Sequence, residues 1–129
     1  MAESSLADIL LELARQDALA FRKLADDVEI GDALLGFHAQ QAVEKALKAV
    51  LTHKGVVYRR THDIAELLDL LTDMGQSLPP PHAEILDELN PYAVELRYGL
   101  IQPAGLDRSA TRIILDEVLA WASAGIARK

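Results

Sequence analysis

The chain contains no cysteine, which excludes disulfide bonds and metal sites built on thiolates and fits a reducing cytoplasm. It also lacks any apolar run close to the roughly 20 residues that a membrane-spanning helix requires. The N-terminal residues are acidic and do not form the basic region that opens a secretion signal. We therefore expect a soluble, cytoplasmic protein with no membrane partner.

Basic residues are scarce, since the chain has 13 lysines and arginines but 20 aspartates and glutamates, and its formal charge is −7. This balance argues against a general nucleic-acid binder, and RNA is not an expected partner. Residues 38–62 nevertheless hold five basic residues and one acid, whereas residues 63–96 hold eight acids and no lysine or arginine. A basic strip on an acidic body can steer an anion to that strip, or can bring two proteins into register. Both interpretations stay open.

Several catalytic and metal-binding patterns are missing. There is no glycine-rich phosphate loop, and no serine stands in a nucleophile motif. The histidines never occur at the three- or four-residue spacing that places two metal ligands on one helix face; they are His38, His53, His62 and His82. The sequence therefore predicts neither a metal site nor a catalytic residue.

Helical periodicity covers nearly the whole chain. With 129 residues and 50% apolar composition, the length suits one domain over residues 1–129. The pattern predicts an all-α fold, an up-and-down four-helix bundle with an additional short helix. The main helices are expected at about residues 4–28, 32–53 and 109–124, with a fourth region from residue 82 that is interrupted at Asn90-Pro91. The short helix begins at Thr61 or Asp63.

Polar residues are predicted to cap three helices. Asp32 is the expected N-cap of the second helix. Either Thr61 or Asp63 can cap the short helix, and with Asp63 as the cap Glu66 would complete a capping box. Asn90 would cap a helix that restarts at Pro91, because proline fits the first helical position.

The second helix has two contrasting faces. At about 100° per residue, small apolar residues fill one arc: Ala39, Val43, Ala46 and Val50. About a quarter-circle on the other side holds polar residues: His38, Gln41, Lys45 and Lys48. Core packing does not explain why imidazole, amide and two ammonium groups gather there. The polar face predicts a site for an anionic or nucleotide-like partner, and its alternative is a solvated face with a boundary histidine.

Two further residues are candidates. His62 stands in the first turn of the short helix, directly after two arginines, and its alternative role is part of a capping turn. Arg97 is expected at the edge of the core, where its planar guanidinium suits carboxylate or phosphate. Its alternative partner is an acid of the chain in a structural ion pair. The predicted ligand-binding residues are His38, Gln41, Lys45, His62 and Arg97.

Three segments, in this order, resemble the HEPN family of small helical domains, named as nucleotide-binding in higher eukaryotes and prokaryotes. They are FHAQQAVEK at residues 37–45, THDI at 61–64 and NPYAVELRY at 90–98, and the resemblance covers about residues 5–125. It implies an α-helical bundle that is commonly a homodimer. In prokaryotes, such proteins are often paired with a minimal nucleotidyltransferase in a toxin–antitoxin-like module.

Some HEPN members are metal-independent ribonucleases that use an arginine and a later histidine, separated by four to six residues, at the dimer interface. Arg97 matches the arginine, but the histidine positions hold Gln102, Pro103 and Ala104. Because glutamine cannot act as a general acid or base, we expect a non-catalytic protein that binds a nucleotide such as ATP or GTP. Two alternatives remain. One is an RNase toxin whose histidine is displaced to His38 or His62, and the other is an interaction or dimerisation module without a ligand.

Overall fold

The computed structural model describes residues 5–74, 79–93 and 105–127. Four α-helices occur in these ranges: α1 (Leu6–Leu24), α2 (Asp32–His53), α3 (Ile64–Asp73) and α4 (Arg108–Ala127). A 3-10 turn at Leu86–Leu89 leads into helical backbone at residues 90–93. Since these ranges contain no strand, the predicted all-α class is confirmed. None of their helices is long and apolar enough to cross a bilayer.

Helix α2 is the centre of the fold. Of its 22 residues, 12 are buried, which makes it a core helix with little free surface. Helices α1 and α4 pack against it and against each other, and α3 packs against α2 together with the 3-10 turn. The predicted apolar arc is fully buried at Ala39, Val43, Ala46 and Val50. Small side chains on this arc allow the neighbouring helices to approach closely.

Helix boundaries agree with the sequence pattern in the middle of the chain and differ near its ends. Helix α2 ends at His53, as predicted. Helix α1 is shorter than predicted because it ends at Leu24, and residues 25–30 form turns. Its start is fixed by a capping box between Ser5 and Asp8. Helix α4 runs longer than predicted, to Ala127.

The predicted capping role of Asp32 is wrong. Gly31 is the N-cap of α2, and Asp32 is the first helical residue. Its carboxylate instead accepts hydrogen bonds from the backbone N–H of Leu106 and the guanidinium of Arg108. Arg108 also donates to the carbonyls of residues 25, 27 and 30. One arginine thus joins the turn after α1 and the start of α2 to the start of α4.

Of the two predicted caps of α3, Asp63 is the N-cap, because its carboxylate accepts from the backbone N–H of Ala65. Glu66 does not complete a capping box. Both of its oxygens accept from the guanidinium of Arg59, while the backbone N–H of Asp63 donates to the hydroxyl of Thr61. The two groups of the missing capping-box bond, the Glu66 carboxylate and the Asp63 N–H, are thus each bonded to a residue that precedes the helix.

Asn90 caps α3, so the prediction that it caps the helix beginning at Pro91 is wrong. Asn90 has helical backbone angles itself. Its side-chain oxygen accepts from the backbone N–H of Ile64, and its amide nitrogen donates to Asp63. The cap reaches across 26 residues of sequence, and no local pattern indicates it.

Acid should weaken the contact between Asp32 and α4. The pKa of Asp32 is lowered mainly by the Leu106 N–H; burial opposes this in part, and Arg108 lowers the pKa further. A lowered pKa adds stability above the unfolded-state value of about 3.9, and this stability is lost as the pH falls through the folded-state pKa. Urea unfolding should show Asp32→Asn about 1 kcal/mol less stable than wild type at pH 7, with the difference closing towards pH 3. Asp26→Asn is the exposed control, and a difference that stays constant with pH would contradict this account.

Gly36 is required because the ring of Tyr92 packs directly on it. A Cβ at this position would overlap three carbons of that ring, and the Tyr92 side chain is buried. Gly36→Ala should therefore lower the free energy of unfolding by roughly 2 to 3 kcal/mol. Gly125→Ala in α4 is the matched control, since its Cβ would meet Val50 at an ordinary 3.6 Å. Equal stability of the two variants in chemical unfolding would disprove the packing argument.

Candidate functional site

Most polar side chains on this side of α2 are bonded to other residues of the fold. One carboxylate on α1 contacts two of the predicted ligand-binding residues. Asp17 Oδ1 lies 3.0 Å from His38 Nδ1, and its Oδ2 lies 2.7 Å from Lys45 Nζ. Only 13% of the Asp17 side chain is exposed. Asp17, His38 and Lys45 form what we call the Asp17 cluster, which ties α1 to α2.

A second network surrounds Glu44, a residue of α2 that is only 3% exposed. One carboxylate oxygen accepts from Gln40 Nε2 and lies 3.0 Å from His62 Nδ1. The other accepts from Lys48 Nζ at 3.0 Å. Burial of a carboxylate is unfavourable unless its oxygens are bonded, and here both are. We call these four residues the Glu44 network.

His62 is fixed through its backbone as well as its ring. Its carbonyl accepts from Gln40 Nε2 at 2.9 Å, and the preceding Thr61 carbonyl accepts from Lys48 Nζ at 2.7 Å. The side chain is nevertheless 64% exposed. Because Nδ1 faces the carboxylate, Nε2 is the ring nitrogen left for another partner. The fold thus holds an exposed imidazole in a set orientation.

Four of the five predicted ligand-binding residues lie in these two groups. His38 and Lys45 belong to the Asp17 cluster, and His62 belongs to the Glu44 network. Gln41 joins the second group because its amide donates to Gln40 Oε1 at 2.7 Å. Arg97 lies outside the described residues.

The sequence analysis does not identify the side chains that accept hydrogen bonds from the predicted residues. Asp17 and Glu44 supply the carboxylates that organise the polar side of α2, and Gln40 supplies an amide. Glu44 and Gln40 stand inside the segment that carries the family resemblance, so a signal was present. Asp17 lies 21 residues before His38, and its only local signal is an acid that adjoins the buried stripe of α1.

The two lysines of the site are balanced by carboxylates. Lys45 pairs with Asp17 and Lys48 pairs with Glu44, so these two pairs add no net charge to the described part of the site. At the start of α3, the side chains of Asn90 and Asp63 accept from the backbone N–H groups of Ile64 and Ala65. The described residues contain no group of three or more side chains suited to hold a metal ion. The exposed imidazole of His62 is therefore the group of these networks with the most accessible surface for hydrogen bonding.

Comparison with known proteins places this geometry in a family. The HEPN domain model matches residues 7–122. The crystal structure of TT1696 from Thermus thermophilus is 33% identical, with a TM-score of 0.56, and the match covers 94% of this chain and 93% of that one. No curated protein matches the sequence. Because the family model spans most of the chain and includes both networks on α2, the protein belongs to the HEPN domain family.

Proposed function

We propose that this HEPN-domain protein binds a phosphate-bearing ligand, such as ATP or GTP, where the polar side of α2 meets the turn at His62. Binding would not be coupled to catalysis. The observation that carries the proposal is the exposed imidazole of His62, held by the buried carboxylate of Glu44.

The Glu44 network uses buried polar groups to orient a ring that adds little to the core. Gln40 is fully buried and Glu44 nearly so, whereas most of the His62 ring is open to solvent. With Nδ1 engaged by Glu44, Nε2 is left for the ligand, and in the doubly protonated ring its N–H would donate to a phosphate oxygen. The orientation of the ring is set before a ligand arrives.

The Asp17 cluster can contribute without losing its own contacts. An ammonium group has three donors, so Lys45 can keep its bond to Asp17 and still donate to a phosphate. His38 engages Asp17 through Nδ1, which leaves Nε2 for sugar or base. Gln41, on the same side of α2, offers a further amide. Arg97 is included as an anion-binding residue because the family resemblance assigns it there.

The proposal includes partners. A homodimer that acts with a nucleotidyltransferase in a cytoplasmic toxin–antitoxin-like module would fit the family, whose prokaryotic members are often organised in this way. A nucleotidyltransferase gene beside this one would support the pairing. Co-purification of the two products would support it further.

A module for protein contact is the second candidate, and two observations favour it. Both lysines of the polar side already pair with carboxylates. In addition, Leu6, Ile9 and Leu13 are 59%, 47% and 45% exposed along one side of α1. In this case the networks on α2 stiffen the fold, and no small ligand binds.

Calorimetric titration with ATP and GTP at pH 7 tests the proposal. We expect binding in the micromolar to millimolar range, weakened about tenfold or more by Lys45→Ala, His62→Ala or Arg97→Ala, because each removes a side chain that is proposed to contact the ligand. Lys23→Ala and Arg112→Ala are controls for loss of an exposed cation elsewhere. Thermal unfolding of each variant checks that the fold persists, since Lys45→Ala leaves Asp17 without its ammonium partner.

Each other outcome selects an alternative. Absence of binding up to millimolar nucleotide would reject the proposal and favour the contact module. An equal loss of nucleotide affinity in the control variants would show that binding depends on general charge attraction and not on these residues. RNA cleavage without metal that is lost in His62→Ala would favour the displaced-histidine ribonuclease, for which His62 is better exposed than His38.

A further inference from the structure

An open groove lies between α3 and the segment of residues 79–87, away from the networks on α2. Its volume is about 390 Å³. Its lining combines apolar side chains with carboxylates, among them Leu68, Pro80 and Ala83 with Asp69, Glu84 and Asp87. We call this feature the acidic groove.

The carboxylates of the acidic groove are available for a partner. None of Asp69, Glu84 and Asp87 makes an ion pair or side-chain hydrogen bond within residues 5–74, 79–93 and 105–127. The sequence adds no cation nearby along the chain, because no lysine or arginine stands between Arg60 and Arg97. An apolar floor with a negative rim is complementary to an apolar side chain flanked by cations.

The same chain presents such a surface on the connection from α2 to α3, residues 54–60, which we call the basic loop. Val57 is 90% exposed at its centre. Lys54 and Arg60 are exposed on either side, and neither has an ion-pair partner in the described part of the chain. Arg59 differs, since Glu66 holds its guanidinium.

The basic loop is shaped before any partner binds. The backbone N–H of Val56 donates to the Leu51 carbonyl at 2.9 Å, and the Tyr58 hydroxyl lies 2.9 Å from that of Thr52. With Val56 and Tyr58 packed against the core, the intervening Val57 is left facing solvent. A fixed apolar side chain loses little conformational freedom on docking.

We propose that the basic loop of one copy docks in the acidic groove of a second copy. Val57 would rest on the apolar floor, and Lys54 and Arg60 would face the rim carboxylates. The occupant is a second copy because this chain itself carries both complementary surfaces, and a two-fold pair forms the contact twice. The inference rests on the proposed homodimer and assigns one pair of contact surfaces to it.

Charge reversal measured by sedimentation across a concentration series tests the contact. A loop variant, Lys54→Glu with Arg60→Glu, and a groove variant, Asp69→Lys with Glu84→Lys, should each dimerise at least about tenfold more weakly than wild type. Mixing the two variants should restore the dimer, because each then offers the other matching surfaces. The controls reverse exposed charges elsewhere, Lys23→Glu with Arg112→Glu and Asp26→Lys with Asp116→Lys, and should dimerise like wild type.

The outcomes separate this inference from the proposal on which it rests. A wild-type protein that stays monomeric would overturn both the homodimer and the contact. A wild-type dimer that persists in the loop and groove variants would overturn the contact alone. Failure of the mixture to restore a dimer, or an assembly that keeps growing with concentration, would overturn the two-fold arrangement.

Discussion

The buried carboxylate of Glu44 is the interaction on which the site depends. It lies in the central helix, where an unpaired charge would be strongly unfavourable, and it is bonded through both oxygens. Its partners Gln40 and Lys48 stand one helical turn to either side on α2. The three form a polar ridge on a helix whose opposite face is fully apolar, so α2 both builds the core and holds the functional turn.

The start of α3 follows from that ridge. Lys48 and Gln40 bind the carbonyls of Thr61 and His62, and this fixes the chain just before Asp63. Asp63 then caps α3, and Asn90 completes the cap from the segment that carries Tyr92. The same segment packs on α2, because the ring of Tyr92 covers Gly36. These contacts connect the three segments of the family resemblance in space, so the functional residues and the packing residues share one framework.

The parts of the fold that depend on local pattern could be predicted from the sequence. The buried arc of α2, its end at His53 and the cap at Asp63 each rest on residues within a few positions of one another. Asp32 and Asn90 could not be assigned in this way, since their partners lie 74 and 26 residues away. Local propensity predicts that each caps the helix that follows it, but both side chains form hydrogen bonds with residues that are distant in sequence.

The candidate site shows the same division. Periodicity predicts that His38, Gln41 and Lys45 share one side of α2, but it does not show that Asp17 of another helix pairs with two of them. The position of His62 beside a helix start makes it a candidate, whereas the buried carboxylate that orients it follows only from the fold. The distinction matters for function, because a paired lysine and an oriented imidazole offer a ligand different contacts than a solvated face would.

A double-mutant cycle on the free energy of unfolding tests most directly whether Glu44 holds His62. The cycle compares Glu44→Gln, His62→Ala and their combination by urea unfolding at pH 7. Glu44→Gln also weakens the contact with Lys48, but this effect is common to both backgrounds and cancels in the cycle. We predict a coupling energy of about 1 kcal/mol between the two residues. Additive effects, within about 0.3 kcal/mol, would contradict the account and leave His62 an ordinary surface histidine.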